Sequence, residues 1–451
     1  MTTTHPVATT TTPTRALVRR PGRWIDGWDP EDAEQWRLEG RTIARRNLYL
    51  SIFAEFLGFA VWAIWSIVVP QLNAVGFALS VDQMFWLVSA PALVGATLRI
   101  PYTLAVPRFG GRNWTIVSAV LLLLPTAALA WAVHHPELPF PVLIAIAMLA
   151  GVGGGNFASS MANISFFFPA SEKGAALGLN AAGGNLGTAA VQFLVPIVVT
   201  IGGGLALDRA GLMFIPLTIL AAVLAWRGMD NLSSAASDPK EYVAALKSPH
   251  TWVLSFVYIG TFGSFIGYSG AFPTLLKSQF PDVALAIAFL GALVGSLSRP
   301  FGGWLADRLG GAMITCVALA AIALGAVGAV AGLRTHSFVL FFGSFLWLFV
   351  FTGIGNGSVY RMIPAVFAST AGDAPDARLA AGRAAAGCLG IAGAIGAFGG
   401  FLIPQGFAAS TRLTGTLEPA LWSFVGAYLV MIVVTWYCYL RRTSAVAGHR
   451  I

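Results

Sequence analysis

Charge is what this sequence has least of. Only 10% of its residues are Asp, Glu, Lys or Arg, against about 25% in an ordinary soluble domain. A chain so poor in charge cannot cover a water-facing surface, which excludes a soluble enzyme. The net charge of +8 does not suggest a nucleic-acid partner, because the basic residues are scattered between apolar stretches and form no single face. Cysteine is nearly absent as well. Cys316, Cys388 and Cys438 all fall in apolar segments, without disulfide or metal-ligand spacing, and read as small packing residues. The histidines occupy tails and loops, and the pair His134-His135 reads as solvated. No cofactor or metal site is therefore expected. No nucleophile–base constellation is visible, so the chain is not expected to be an enzyme.

What the sequence has in quantity is apolar: 57% of residues are hydrophobic, and the mean hydropathy is +0.75. A membrane-crossing helix needs about 20 mainly apolar residues. Twelve stretches qualify, near 48–72, 83–106, 113–133, 140–167, 173–200, 211–228, 251–276, 283–305, 312–333, 337–364, 379–406 and 419–440. The predicted fold class is an all-α membrane protein with twelve transmembrane helices in two six-helix halves. The expected divisions are a tail (1–46), a first half (47–228), a polar central loop (229–250), a second half (251–440) and a short tail (441–451).

Residues 1–21 read as a disordered tail, with no signal peptide in the Thr- and Pro-rich start. Asp29-Pro30-Glu31-Asp32 reads as a helix start with Asp29 as the cap. Trp24, Trp28 and Trp36, followed by Arg41, Arg45 and Arg46, suggest a segment lying on the membrane surface, with a plain solvated helix as the alternative. With the N-terminus inside, cytoplasmic segments hold 21 of the 27 basic residues, eight of them in the N-terminal tail. Arg209, Lys277, Arg334 and Arg412 lie in outer loops. This bias predicts two cytoplasmic termini in a multi-pass protein of the cytoplasmic (inner) membrane.

The two halves repeat. The second apolar stretch and its loop read LVGATLRIPYTLAVPRFGG from Leu93, and the eighth reads LVGSLSRPFGGWLADRLGG from Leu293, an offset of 200 residues. GVGGGNF from Gly151 is echoed by GIGNGSV from Gly353. Such a parallel repeat resembles that of the major facilitator transporters, whose substrates bind near mid-membrane between the halves. The short loop GGWLADRLGG resembles that superfamily's loop signature. The first-half copy departs from it, with Pro107 where the second half has Asp307.

Two basic residues remain, Arg99 and Arg299. Each stands nine residues before a loop arginine, Arg108 or Arg308, and so about 13–14 Å along a helix, near the middle of a hydrocarbon core about 30 Å thick. A charge at that depth costs at least about 2.5–3.5 kcal/mol and is normally paired. Acids to pair them are scarce. Asp82, Glu137, Glu172, Asp208, Asp230, Asp282, Asp307 and Glu418 fall in loops or at helix ends, and only Glu55 lies inside a helix, about two turns from its expected start. The partner that completes the pairing is then a mobile anion. Guanidinium offers a planar fork of donors, which suits a small flat oxyanion better than an ammonium does. The alternative is that both arginines bind backbone carbonyls and polar side chains. Asn180 and Asn185, amides inside the fifth stretch, should face the cavity or another helix. Asn185 can be a ligand or packing glue.

Four runs carry a family resemblance: GGGNFASSMANISFFFP from Gly153, GLNAAGGNLG from Gly178, YIGTFGSFIGYS from Tyr258 and GIAGAIGAFGGF from Gly390. Together with the two arginines they resemble the nitrate/nitrite porter family from about Trp28 to Arg441. The resemblance implies a secondary transporter of nitrate and nitrite working by alternating access. Arg99 and Arg299 would clamp the anion, Asn185 and Tyr258 would donate hydrogen bonds, and Phe157 and Phe262 would sandwich its faces. Helices would slide at Gly183 and Gly390. Against this, any one phenylalanine in such a chain packs in the core or faces lipid by default. The sequence also departs from the family pattern. Ala181 and Ala182 replace an expected glycine pair, the loop between the tenth and eleventh stretches is short, and Glu55 stands where an apolar residue is expected. Nitrate/nitrite antiport is the leading expectation. Proton-coupled nitrate symport with Glu55 as candidate proton carrier is the alternative, and a non-transporting anion sensor is a remote third. The expected partners are the two anions, the bilayer and, in the second reading, protons. One chain suffices as the functional unit.

Overall fold

The computed structural model describes residues 17–235, 239–371, 375–441 and 451. The expected disorder of residues 1–16 and most of the C-terminal tail lie outside them. Among the described residues, twelve helices are long and apolar enough to cross a membrane. They are α1 (Ala33–Val75), α2 (Val81–Phe109), α3 (Gly111–Ala132), α4 (Phe140–Phe167), α5 (Ala170–Val198), α6 (Asp208–Gly228), α7 (Pro249–Gln279), α8 (Leu285–Leu309), α9 (Gly311–Arg334), α10 (Phe338–Ser369), α11 (Asp376–Thr414) and α12 (Glu418–Leu440). A short helix, Pro239–Lys247, lies in the central loop.

Large apolar side chains such as Ile100, Leu104, Leu124, Leu297, Leu324 and Val433 point outward, as lipid-facing positions require. Phe59, Trp62, Phe157, Tyr258, Phe262, Phe265 and Phe272 belong to one buried cluster that joins the halves. Across the interface α2 lies against α11 and α5 against α8. The repeat offset of 200 reappears in the backbone. Gly110 (φ 86°) and Gly310 (φ 95°) make the turns that follow α2 and α8. Both need the left-handed conformation that glycine adopts without penalty, and at Gly110 a side chain would also strike Asn231.

The terminal face, which carries the described chain ends, differs from the sequence reading. Val18–Arg20 (β1) pairs antiparallel with Trp24–Asp26 (β2), which pairs in parallel with Asn231–Leu232 (β3). Part of the tail expected to be disordered is thus a strand. Trp28 is buried, its ring edge-on to Phe167 at 5.6 Å, and its indole N–H donates to the Phe166 carbonyl. Trp36 packs on Phe168. Trp36 stays half-buried, with its indole N–H donating to Glu172. The helix cap is also three residues later than expected. Asp32 accepts from the Glu34 and Gln35 N–H groups, while Asp29 makes a local turn to Glu31. Asp230 ties the layer together. Its carboxylate takes Arg23 at 2.8 Å, Arg46 at 2.5 Å and Asn47 at 2.9 Å, and its own N–H donates to Asn47.

Candidate functional site

Arg99 and Arg299 stand ten residues before the ends of α2 and α8, which places both about 15 Å inside the span. Both are buried. Close helix contact positions them. Gly95, one turn before Arg99, meets Gly154 of α4, while Gly357 of α10 meets the Arg299 carbonyl so closely that a Cβ there would overlap it.

Arg99 rests on aromatic faces, 4.5 Å from the Phe157 ring, 5.0 Å from Phe262 and 5.8 Å from Trp62. Such contacts hold a desolvated cation by about 2 kcal/mol each. Its Nη1 donates to the Gly393 carbonyl on α11 at 2.8 Å, a bond that crosses from one half to the other. Nε and Nη2 are buried without a partner. These two N–H groups form one edge of the guanidinium, the edge that pairs side by side with two oxygens. Arg299 lies 5.4 Å over the Tyr360 ring and has its own unpartnered Nη1. The two arginines feel each other's charge, together with Glu55, Tyr258 and Tyr360.

A cavity of about 340 Å³ has Arg99, Phe157, Tyr360 and Gly393 at its deep end. Thr103, Pro107, Ser165, Lys173 and Tyr242 carry it toward the terminal face. The opposite side is shut. There Gln192 of α5 donates to the Ser269 carbonyl of α7, Gln405 of α11 donates to Ser89 of α2, and Phe85 stacks on Phe407. A separate hollow of about 580 Å³ on that opposite face is lined by Asp82, Arg334, Arg412 and Glu418 and does not include either buried arginine.

The aromatic residues expected from the sequence are neighbours. Phe157 and Phe262 stack with centroids 6.2 Å apart, and Tyr258 stacks on Phe262 at 5.1 Å. A flat ion between two rings needs roughly 7 Å, two contacts of about 3.5 Å, so a guest here requires the pair to part slightly. Tyr258 immediately precedes the π-helical turn Ile259–Gly263 and Phe262 lies within it. The Tyr258 hydroxyl donates to Asn356 at 2.7 Å. Asn185 is buried with both amide atoms unpartnered and lies outside the cavity lining. Gly183 faces Ile52 of α1 inside the first half, whereas Gly390 lines the cavity against the Tyr242 ring.

Glu55 is 1% exposed, on a helix that begins well before Leu48. Asn180 donates to its Oε2 at 2.7 Å, and Ser160 and Ser51 continue the network. Its Oε1 has no partner. Sequence reasoning missed Trp62, Asn356, Tyr360 and the Gly393 carbonyl. Asn356 sits within the GIGNGSV run, and its polarity at that depth was the available signal. Among the described residues, no group of three His, Cys, Asp or Glu could hold a metal ion.

The Major Facilitator Superfamily model matches residues 50–404. The nitrate/nitrite transporter NarU of Salmonella typhimurium is 40% identical over 93% of this chain and 96% of its own. The chain belongs to the nitrate/nitrite porter family of the major facilitator superfamily. NarU of Escherichia coli is 38% identical over 92% of this porter and 96% of its own length. A probable nitrate/nitrite antiporter of Thermus thermophilus, NarK2, is 35% identical over 93% and 97%. The crystal structure of a D-xylose–proton symporter superposes with a TM-score of 0.67 at 16% identity, covering 87% of this porter and 97% of that chain. At that identity the likeness concerns the fold.

Proposed function

We propose that this porter moves nitrate and nitrite across the cytoplasmic membrane by alternating access, exchanging one for the other. The observation that carries the proposal is the pair of unpartnered guanidinium donors, Arg99 Nε and Nη2, buried at mid-span on a residue that lines the cavity, with the unpartnered Arg299 Nη1 behind the cavity-lining Tyr360. A buried unmade hydrogen bond to a charged group is strongly unfavourable, and a small planar oxyanion satisfies all three donors at once. The names of the relatives support the same cargo. One chain is the working unit, both termini lie in the cytoplasm, and no chemical conversion accompanies transport.

Arg99, Arg299, Tyr258, Phe157 and Phe262 would form the anion chamber, with Asn185 beside it. Gly183 and Gly390 would let α5 and α11 shift as the halves rock. An empty chamber leaves two like charges facing each other, which opposes the closed intermediate. A bound anion relieves this, so reorientation occurs only when the chamber is loaded. Counterflow in proteoliposomes tests the reading. Labelled nitrate should enter only when nitrate or nitrite is inside, and net uptake into anion-free vesicles without a pH gradient overturns exchange.

Glu55 supports a second reading, in which a proton accompanies nitrate. It is a buried carboxylate with one free oxygen, electrostatically linked to both arginines. Protonating it would remove a negative charge that weakens anion binding. Glu55→Gln keeps the Asn180 contact and fixes the neutral form. If uptake in the wild type collapses with protonophore and the variant is insensitive, proton symport replaces exchange.

A further inference from the structure

Tyr360 lies on α10, lines the cavity with Arg99 and carries the Arg299 guanidinium over its ring. Its charged and phenolic neighbours are Tyr258, Arg299, Glu55 and Arg99. Asn356, one turn earlier on the same helix face, accepts the Tyr258 hydroxyl. The two tyrosines therefore meet the chamber on different terms. The proton of Tyr258 is committed to Asn356, whereas the Tyr360 hydroxyl makes no hydrogen bond to any described residue.

We propose that Tyr360 is a further anion-contacting residue, donating its hydroxyl to the oxyanion on the Arg299 side, and that this donor sets the preference for nitrate over nitrite. The inference rests on the nitrate/nitrite reading of the cavity. The free edge of Arg99 pairs with two oxygens. Nitrite has two oxygens and is satisfied there. Nitrate has a third, directed away from that edge, and it needs donors from elsewhere. On the Arg299 side these are Nη1 and the Tyr360 hydroxyl. The repeat offers no counterpart: aligning GVGGGNF with GIGNGSV puts Ala158 opposite Tyr360, so the donor exists once, on one side of the chamber.

The test is nitrate and nitrite binding to the purified full chain by calorimetry, with counterflow competition as a second readout. Tyr360→Phe keeps the ring under Arg299 and removes only the donor. Nitrate should bind about tenfold more weakly, the effect of one lost hydrogen bond to an ion, and nitrite should change by less than about twofold. Unchanged affinity for both ions overturns the proposal. Equal losses for both overturn the preference, since the hydroxyl would then serve oxygens that the two ions share. Wild-type protein that binds neither ion overturns the nitrate/nitrite reading and this inference with it, a failure already visible without the variant. The thermal midpoint should not move. Should it fall, Tyr360→Trp, which restores an N–H donor on an aromatic face, decides: recovered nitrate binding supports the proposal, and none overturns it.

Discussion

The two halves place an arginine at the same depth by the same repeat, yet surround it differently. Arg99 is wrapped by Trp62, Phe157 and Phe262 and tied to the second half through the Gly393 carbonyl. Arg299 lies on a single tyrosine face. Near the terminal face the contrast continues. The first half is sewn through Asp230, whose side chain is 6% exposed, while the Arg361–Asp307 pair of the second half is about half exposed on both sides. A pseudo-symmetric scaffold thus carries an asymmetric pair, one arginine held by three rings and a carbonyl and the other by one ring.

Lysine scanning tests that asymmetry most strongly. Arg99→Lys keeps the charge but loses an edge of two donors, so exchange should fall by about 100-fold or more. Arg299→Lys loses one free donor and should fall by about tenfold. Equal effects in counterflow assays would show that the two cations do the same job. Asp230→Ala removes the shared acceptor of Arg23, Arg46 and Asn47 and should cost about 1.5–3 kcal/mol, the range for hydrogen bonds to a charged group, read as a clear drop in thermal midpoint. Gly357→Ala pushes α10 away from the Arg299 carbonyl. Nitrate exchange should fall about tenfold, with normal insertion of the protein in the membrane. The smallest effect is expected from Asp307→Ala, no more than about 1 kcal/mol, because an exposed pair contributes little. A stability loss there matching that of Asp230→Ala would erase the contrast between the two faces.

Much of this was legible in the chain. Apolar runs of about 20 residues have few alternatives to a membrane helix, and each observed span overlaps an expected one, as Phe140–Phe167 and Glu418–Leu440 do, while α1 starts fifteen residues early at Ala33. The arginine depth could be counted along the helix from Arg108 and Arg308. Partners distant in sequence could not be read. Arg99 meets a backbone carbonyl 294 residues away, and no side chain marks that position. Asp230 read as an ordinary loop acid because Arg23 lies 207 residues before it. The burial of Glu55 could not be read either, because its partner Asn180 lies 125 residues away. Asp29 and Asp32 are both competent caps, and only the local fold chooses between them.

The bond from Arg99 to Gly393 has a practical consequence. Its acceptor is main chain on the far half, so changing the side chain at 393 leaves it in place, and an alanine scan would miss it. The force joining the halves there can be measured only by altering the donor.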